Sequence, residues 1–144
     1  MHSQYKRMVE RAAKAIGLPI IWKPDPIQPG IPNSGCWMAT YIDPMSADRS
    51  IRLTLEFDPA NNIQQAMMLL AAKRYDLKVN PCSVEVIGMR FGIGGGEFTV
   101  KVDSSGYYTE MHAICMAITA AVADQEPIRS AELRRALENP YEQH

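Results

Sequence analysis

The chain has 144 residues, of which 47% are hydrophobic and 22% charged, and 15 Lys and Arg against 16 Asp and Glu leave a formal net charge of −1. This length suits one domain with a core of its own. The balanced charge argues against strong nucleic-acid binding, which requires a basic surface to neutralise phosphates.

The cysteine spacing and the hydropathy argue against disulfide-rich, zinc-binding and membrane-spanning classes of protein. Cys36, Cys82 and Cys115 are widely spaced and form no CxxC pair, so the sequence predicts neither a disulfide framework nor a zinc site. This pattern fits a reducing compartment. No apolar run is long enough to span a bilayer and the N-terminus lacks the apolar part of a signal peptide, so we expect a cytoplasmic protein without membrane association.

The first part of the chain predicts a helix, an edge strand and a proline-rich loop. Residues 3–16 place apolar side chains on one side of a helix and charged ones on the other. The LPIIW run predicts a short strand, for which Pro19 favours a sheet edge. Four prolines within residues 23–36 then exclude regular structure. We interpret this surface loop as a strap over a sheet edge in preference to a binding loop.

Two strands, at 37–43 and 50–57, predict a β-hairpin around a turn-forming connection. The second strand alternates regularly, which directs one set of side chains to the interior and the other to water. The predicted interior set is Ile51, Leu53, Leu55 and Phe57.

A helix is expected to follow this hairpin, with Asp58 as its cap and Pro59 in its first position. Its apolar residues exceed one stripe between Met67 and Ala72. We therefore expect this helix to be buried on two sides or to contact another subunit.

The clearest unit is a strand, glycine-rich turn, strand and helix between residues 82 and 123. Apolar residues on both parities of the first strand predict a bulge near Gly88. The helix is the strongest periodic signal in the chain, with Thr109 as its N-cap. Its apolar stripe consists of Met111, Ile114, Cys115, Ile118, Ala121 and Val122. The helix stripe and the apolar face of the hairpin are expected to pack together.

The whole pattern predicts one α+β domain over residues 1–144, a layered sandwich with a mainly antiparallel sheet flanked by helices. A short C-terminal helix within 125–144 ends before Asn139-Pro140. Two hairpin-and-helix units, 37–76 and 84–123, are loosely similar. Either a duplication or the usual way of building such a fold explains them, and we favour the second.

Two short helical patterns carry a resemblance to a known family. The residues concerned are Ile63 and Ala66 in one helix and Ala113, Ile114, Cys115 and Ala117 in the other. Over residues 58–124 the chain resembles the small phage proteins grouped as phage ABA-sandwich-type domains, although Met116 replaces a basic residue common in them. Because that family has no agreed activity, the resemblance implies only a phage or prophage setting, hence the host cytoplasm, and a layered fold.

No set of residues has the spacing of a catalytic or metal site, and no cofactor is expected. The glycine-rich segment at 92–96 joins strand to strand, whereas a phosphate-binding loop leads into a helix N-terminus. We interpret it as a flexible hairpin tip, which could still close over a ligand because glycines let backbone amides approach closely. His112 follows Tyr107 and Tyr108, but no nucleophile or orienting carboxylate is identifiable, so a half-buried or surface histidine is preferred.

Aromatic and basic side chains near loops are better candidates for binding. Aromatic rings can stack on a base or anchor a protein interface, and arginine can pair with phosphate. For Trp37 and Tyr41, a place in the core is the preferred alternative. The candidate ligand- or partner-binding residues are Trp37, Tyr41, Arg90, Gly94, Gly95, Tyr107, Tyr108 and His112.

Two classes of function remain from the sequence. One is a non-enzymatic phage-type binding protein, an anti-defence inhibitor that occludes a host defence protein or sequesters a nucleotide second messenger. The other is a small enzyme acting on a nucleotide or protein through His112, Tyr107 and Glu97, and a structural or accessory phage protein is a further alternative. A pocket between the glycine tip and the central helix would favour ligand capture or catalysis, whereas an apolar patch would favour protein occlusion. A homo-oligomer is expected in each case.

Overall fold

The computed structural model describes residues 1–31, 33–42, 47 and 51–138. Apart from Ala47, the connection predicted at 44–49 lies outside this part, as does the tail after 138. Its elements are α1 (Ser3–Ala15), β1 (Ile20–Pro24), β2 (Gly35–Ile42), β3 (Arg52–Glu56), α2 (Ile63–Lys73), β4 (Asp76–Val79), β5 (Ser83–Arg90), β6 (Gly96–Asp103), a 3-10 turn (Ser104–Gly106), α3 (Glu110–Ala123) and α4 (Ser130–Glu138). The α+β prediction is confirmed. In the described residues, however, the strands form two antiparallel sheets, ordered β1-β2-β3 and β4-β5-β6.

The helix α3 lies at the centre of the fold. It packs against α1, α2 and the β5–β6 hairpin, and all its side chains from Cys115 to Ala123 are buried. The predicted single stripe was therefore too narrow, because small alanines allow neighbours to approach from several sides. Thr109 caps the helix as predicted, accepting a hydrogen bond from the His112 amide at 3.0 Å.

The β5–β6 hairpin pairs without interruption along its whole length, so the predicted bulge near Gly88 is wrong. Gly88 lies opposite Phe98, whose ring meets the Tyr75 ring edge to face with centroids 5.3 Å apart. A Cβ on Gly88 would lie 2.6 Å from the Tyr75 ring and 2.8 Å from the Phe98 ring. The glycine is therefore required by close packing of two aromatic rings on a regular strand.

The strand β3 departs most from its prediction. Phe57 is fully buried, but Leu53 and Leu55 are 40% and 51% exposed, and Ile51 is also exposed. The two leucines lie opposite Tyr41 and Ala39 in β2, so they do share the inner face of the first sheet. The alternating pattern predicted correctly which side chains of β3 share a face. It predicted wrongly that another element covers this face.

The cover on the first sheet is α1, and it lies over β1 and β2. Lys6 of α1 places its ammonium 3.9 Å from the centre of the Trp22 ring, and its carbonyl accepts a hydrogen bond from the Trp37 indole at 3.0 Å. β1 is an edge strand, as predicted. The proline-rich loop is shorter than the predicted 23–36, because Lys23 and Pro24 pair with Cys36 and Gly35 and so belong to β1 and β2.

The helix α2 begins later than predicted, because its cap is Asn62 and not Asp58. The Asp58 carboxylate is engaged elsewhere: it accepts hydrogen bonds from the Tyr5 hydroxyl and from the Asn61 amide. Met67 and the alanines that follow Leu70 are exposed. Among the described residues of one chain, this helix is therefore not buried on two sides.

Candidate functional site

The candidate binding residues fall into three separate places. Trp37 and Tyr41 lie on β2, Arg90, Gly94 and Gly95 lie at the tip of the β5–β6 hairpin, and the third group lies at the start of α3. Strand β6 separates the hairpin tip from the start of α3. Its eight residues span roughly 25 Å. Among the described residues, the glycine tip and the start of the central helix are therefore too far apart to line one pocket, the arrangement that would favour ligand capture or catalysis.

The same separation bears on the enzymatic alternative. Glu97 pairs opposite Met89 at the tip end of β6, whereas Tyr107 and His112 follow the other end of that strand. The three side chains proposed as a catalytic site do not converge.

On β2, the aromatic residues Trp37 and Tyr41 are largely part of the packed core. Trp37 is buried, its indole nitrogen donates to the Lys6 carbonyl, and its ring meets Trp22 edge to face at 5.3 Å. Tyr41 is half-buried, and its hydroxyl has no hydrogen-bond partner among the described residues. Burial raises the pKa of Tyr41. Neither ring is presented for stacking on a ligand.

The hairpin tip, residues 90–96, presents two large apolar side chains to solvent. Phe91 is 93% exposed, and Ile93 is fully exposed. Gly94 has φ +76°, and a Cβ on Gly95 would lie 2.4 Å from the Arg90 carbonyl oxygen. The Gly95 amide instead donates to the Gly92 carbonyl at 3.0 Å. The glycines thus give the tip a defined turn that holds Phe91 and Ile93 outward.

The sequence reasoning had not identified Phe91 and Ile93. The available signal was their position, because large apolar side chains on both sides of a turn glycine are unusual where turn residues are normally small or polar.

Arg90 anchors the base of this tip. Its guanidinium forms an ion pair with Asp124, the C-cap of α3, and lies 4.5 Å from the centre of the Phe98 ring. Both charged groups are more than half exposed, so the ion pair contributes little stability by itself. The pair connects the end of β5 with the C-terminal end of the central helix.

The third place is a groove where α3 and α4 begin. It encloses about 460 Å³ and is lined by Ser105, Gly106, Tyr107, Tyr108, Ser130, Ala131, Arg134 and Arg135. Tyr108 is exposed, whereas Tyr107 is buried against His112 with ring centroids 5.6 Å apart. An exposed aromatic ring beside arginines is a surface that a phosphate-bearing ligand can contact. The sequence did not predict the arginines, because only the tertiary fold brings α4 to this end of α3.

His112 links the two helices that form the groove. Its Nδ1 lies 3.4 Å from the Ser130 hydroxyl, and its Nε2 is buried without a hydrogen-bond partner among the described residues. Burial lowers the pKa of His112, an effect that the Asp58 carboxylate partly opposes. Ser130 is itself buried, so this pair is placed to join α3 to α4 and not to attack a substrate.

The lowered pKa of His112 predicts a pH dependence of stability. As the pH falls below 6.5, the unfolded chain binds a proton at this histidine before the folded chain does, so the free energy of unfolding decreases. We expect His112→Asn, which keeps a polar atom near the Nδ1 position, to lose less stability than the wild type between about pH 7 and pH 5. Urea denaturation of both proteins across this range measures it, and parallel pH profiles would contradict the assignment.

The remaining chemistry-bearing groups give no further site. Among the described residues, no three His, Cys, Asp or Glu side chains are grouped closely enough to hold a metal ion. Cys115 is buried, which raises its thiol pKa to about 11 and makes it unreactive at neutral pH. Within the same part of the chain, every helix is too short or too polar to cross a bilayer.

Comparison with known proteins adds no assignment. No family model matches the chain, and no curated protein or solved structure is significantly similar to it. The resemblance to phage ABA-sandwich-type domains is therefore neither supported nor contradicted. The function has to be inferred from the surface of the molecule itself.

Proposed function

We propose that this protein is a non-enzymatic binding protein that occludes a partner protein with the tip of its β5–β6 hairpin. The observation that carries this proposal is the almost complete exposure of Phe91 and Ile93 on adjacent sides of one turn. Large apolar side chains that enter a partner's pocket supply much of the binding energy at protein interfaces. An exposed apolar cluster on a folded domain is typical of such a contact.

The way in which the tip is attached to the rest of the domain supports the same proposal. The turn is closed by the hydrogen bond from the Gly95 amide to the Gly92 carbonyl, and at its base Arg90 pairs with Asp124 and lies over the Phe98 ring. A preorganised tip loses little conformational entropy when it binds, so more of its contact energy appears as affinity.

The partner we propose is a host defence protein in the cytoplasm, so that the chain acts as a phage anti-defence inhibitor. This step depends on the resemblance to phage proteins. Occlusion of a partner's working surface needs shape and apolar contact but no catalytic group, which agrees with the separation of Glu97 from His112 and Tyr107.

A second candidate function is capture of a nucleotide second messenger in the groove between α3 and α4. It is favoured by the exposed ring of Tyr108 beside Arg135, in a groove whose volume is within the range of small-ligand sites. The two candidates use different residues, so one experiment separates them.

A photo-crosslinking amino acid at position 91 or 93 tests the proposal in host cells that carry defence systems. We expect irradiation to link both positions to the same host protein, identified by mass spectrometry. Ile27 provides the matched control, because it is equally exposed but lies in the β1–β2 loop. The double substitution Phe91→Ser with Ile93→Ser is expected to weaken capture of that protein about tenfold or more, with folding unchanged because neither side chain is packed.

Two results would contradict occlusion by the tip. Identical adducts from positions 27, 91 and 93 would show that the crosslinks report only general exposure. Retained binding by the tip variant, together with loss of binding in Tyr108→Ala, would instead place the site in the groove.

A further inference from the structure

The strand β3 leaves one of its two edges unpaired in the described part of the chain. The Phe57 amide donates to the Trp37 carbonyl at 2.8 Å. Hydrogen-bonding direction alternates along an antiparallel strand, so the backbone groups of Leu53 and Leu55 also face β2, and those of the residues between them face away. The Gln65 side chain donates to the Glu56 carbonyl at 2.7 Å from the open side, which agrees with this direction and occupies one acceptor at the end of the edge. The backbone groups of Thr54, at the centre of the strand, are directed to the same open side.

The open edge is also apolar on one face. Leu53 and Leu55 share the inner face of the sheet but are about half exposed, since the cover provided by α1 lies over the other two strands. An open strand edge that carries uncovered leucines is a template for pairing with another strand.

We propose that β3 pairs with β3 of a second copy of this chain, antiparallel about a twofold axis at Thr54, to form a continuous six-stranded sheet. The segment Arg52-Leu53-Thr54-Leu55-Glu56 is self-complementary in this arrangement. Each Arg52 lies opposite Glu56 of the other copy, and each Leu53 lies opposite Leu55 of the other copy. Opposite charges and apolar pairs at directly facing positions stabilise antiparallel strands.

The leucines on one face of β3 and the charged residues on the other together decide the register of the pairing. A shift by one residue would direct the leucines of the two copies to opposite faces of the joint sheet. A shift by two residues toward the start of the strand would pair Arg52 with Thr54 and leave Glu56 without a basic partner. Within the described part of the chain, neither Arg52 nor Glu56 forms an ion pair of its own. A shift by two residues toward the end of the strand would place Arg52 opposite Asp58, which lies beyond the end of β3 and already accepts hydrogen bonds from Tyr5 and Asn61. The Thr54-centred register matches the charges and the leucines within β3 itself.

The first turn of the neighbouring helix lies beside this edge. Gln65 holds the first turn of α2 beside β3 through hydrogen bonds to Glu56 and Asp58, and α2 exposes Met67. The excess apolar residues of α2, which the sequence analysis connected with a subunit contact, thus lie on the element next to the open edge. A dimer of this kind carries two hairpin tips, and two linked binding sites raise the avidity for a multivalent partner.

Charge reversal across the twofold axis tests the register. We expect the wild-type chain to form a dimer at micromolar concentration in sedimentation velocity and native mass spectrometry. Arg52→Glu places two acidic side chains opposite each other, and Glu56→Arg does the same with two basic ones, so each is expected to raise the dissociation constant about tenfold or more. The double variant R52E/E56R restores opposite charges and is expected to return the dissociation constant close to that of the wild type.

Lys23→Glu is the matched control, because Lys23 is an exposed cation on β1, at the other edge of the same sheet. It is expected to leave the dimer intact. A wild-type chain that stays monomeric at all concentrations would overturn the proposal, and so would a dimer that resists both single reversals. Failure of the double variant to restore a dimer, with its circular dichroism unchanged, would reject the Thr54-centred register. None of these results depends on a partner protein binding at the tip.

Discussion

Replacing Ile118 by alanine is expected to lower the free energy of unfolding by about 2–5 kcal/mol. Ile118 is fully buried in α3, the helix that contacts α1, α2 and the β5–β6 hairpin. Removal of its outer carbon atoms loses the free energy gained by transferring them from water to the core. It also leaves a cavity that the three elements packed around it cannot fully close. A loss of this size is a large fraction of the total stability of a typical domain.

Met111 is the matched control for this substitution. It belongs to the same predicted stripe of the same helix, but it is 52% exposed. Met111→Ala is therefore expected to change the free energy of unfolding by no more than about 0.5 kcal/mol. Guanidinium denaturation of the two variants gives the comparison, and equal losses would show that α3 is not the centre of the core.

The difference between Ile118 and Met111 shows what the sequence pattern can predict. Periodicity identified α3 and the two strands of the hairpin because these elements depend on local spacing and on one capping residue, Thr109. It could not show where the cover over an apolar face ends, because that depends on the position of other elements. The prediction was wrong in the same way for Leu53 and Leu55, whose face is correct and whose burial is not.

At the candidate site, too, the sequence pattern could not predict contacts between residues that are far apart in the chain. Tyr107, Tyr108 and His112 were predicted together because they are adjacent in sequence. The arginines of α4 and the Arg90–Asp124 ion pair join residues that are far apart in the chain, and no spacing rule connects them. Phe91 and Ile93 were within reach of the sequence, since large apolar residues in a glycine turn have no role in packing a hairpin.

Gly88→Ala is expected to lower the free energy of unfolding by about 1–3 kcal/mol, although alanine is normally the better strand residue. The new methyl group would overlap the edges of the Tyr75 and Phe98 rings, which already meet each other edge to face. Neither ring can move away freely, because both are partly buried and packed against the hydrophobic core. The overlap must therefore be relieved by displacing the strand or the rings.

Gly30→Ala is the control, since a Cβ at Gly30 meets no atom within 4 Å and its backbone is not left-handed. This change is expected to be neutral or slightly stabilising, by less than about 1 kcal/mol. Trimming the obstructing ring should rescue the first variant, so Gly88→Ala with Phe98→Leu is expected to cost less than the sum of the two single changes. Additive losses in denaturant unfolding would reject this account of Gly88. Because Arg90 and the tip begin two residues after Gly88, the same overlap is expected to disturb the mounting of Phe91 and to reduce crosslinking from position 91.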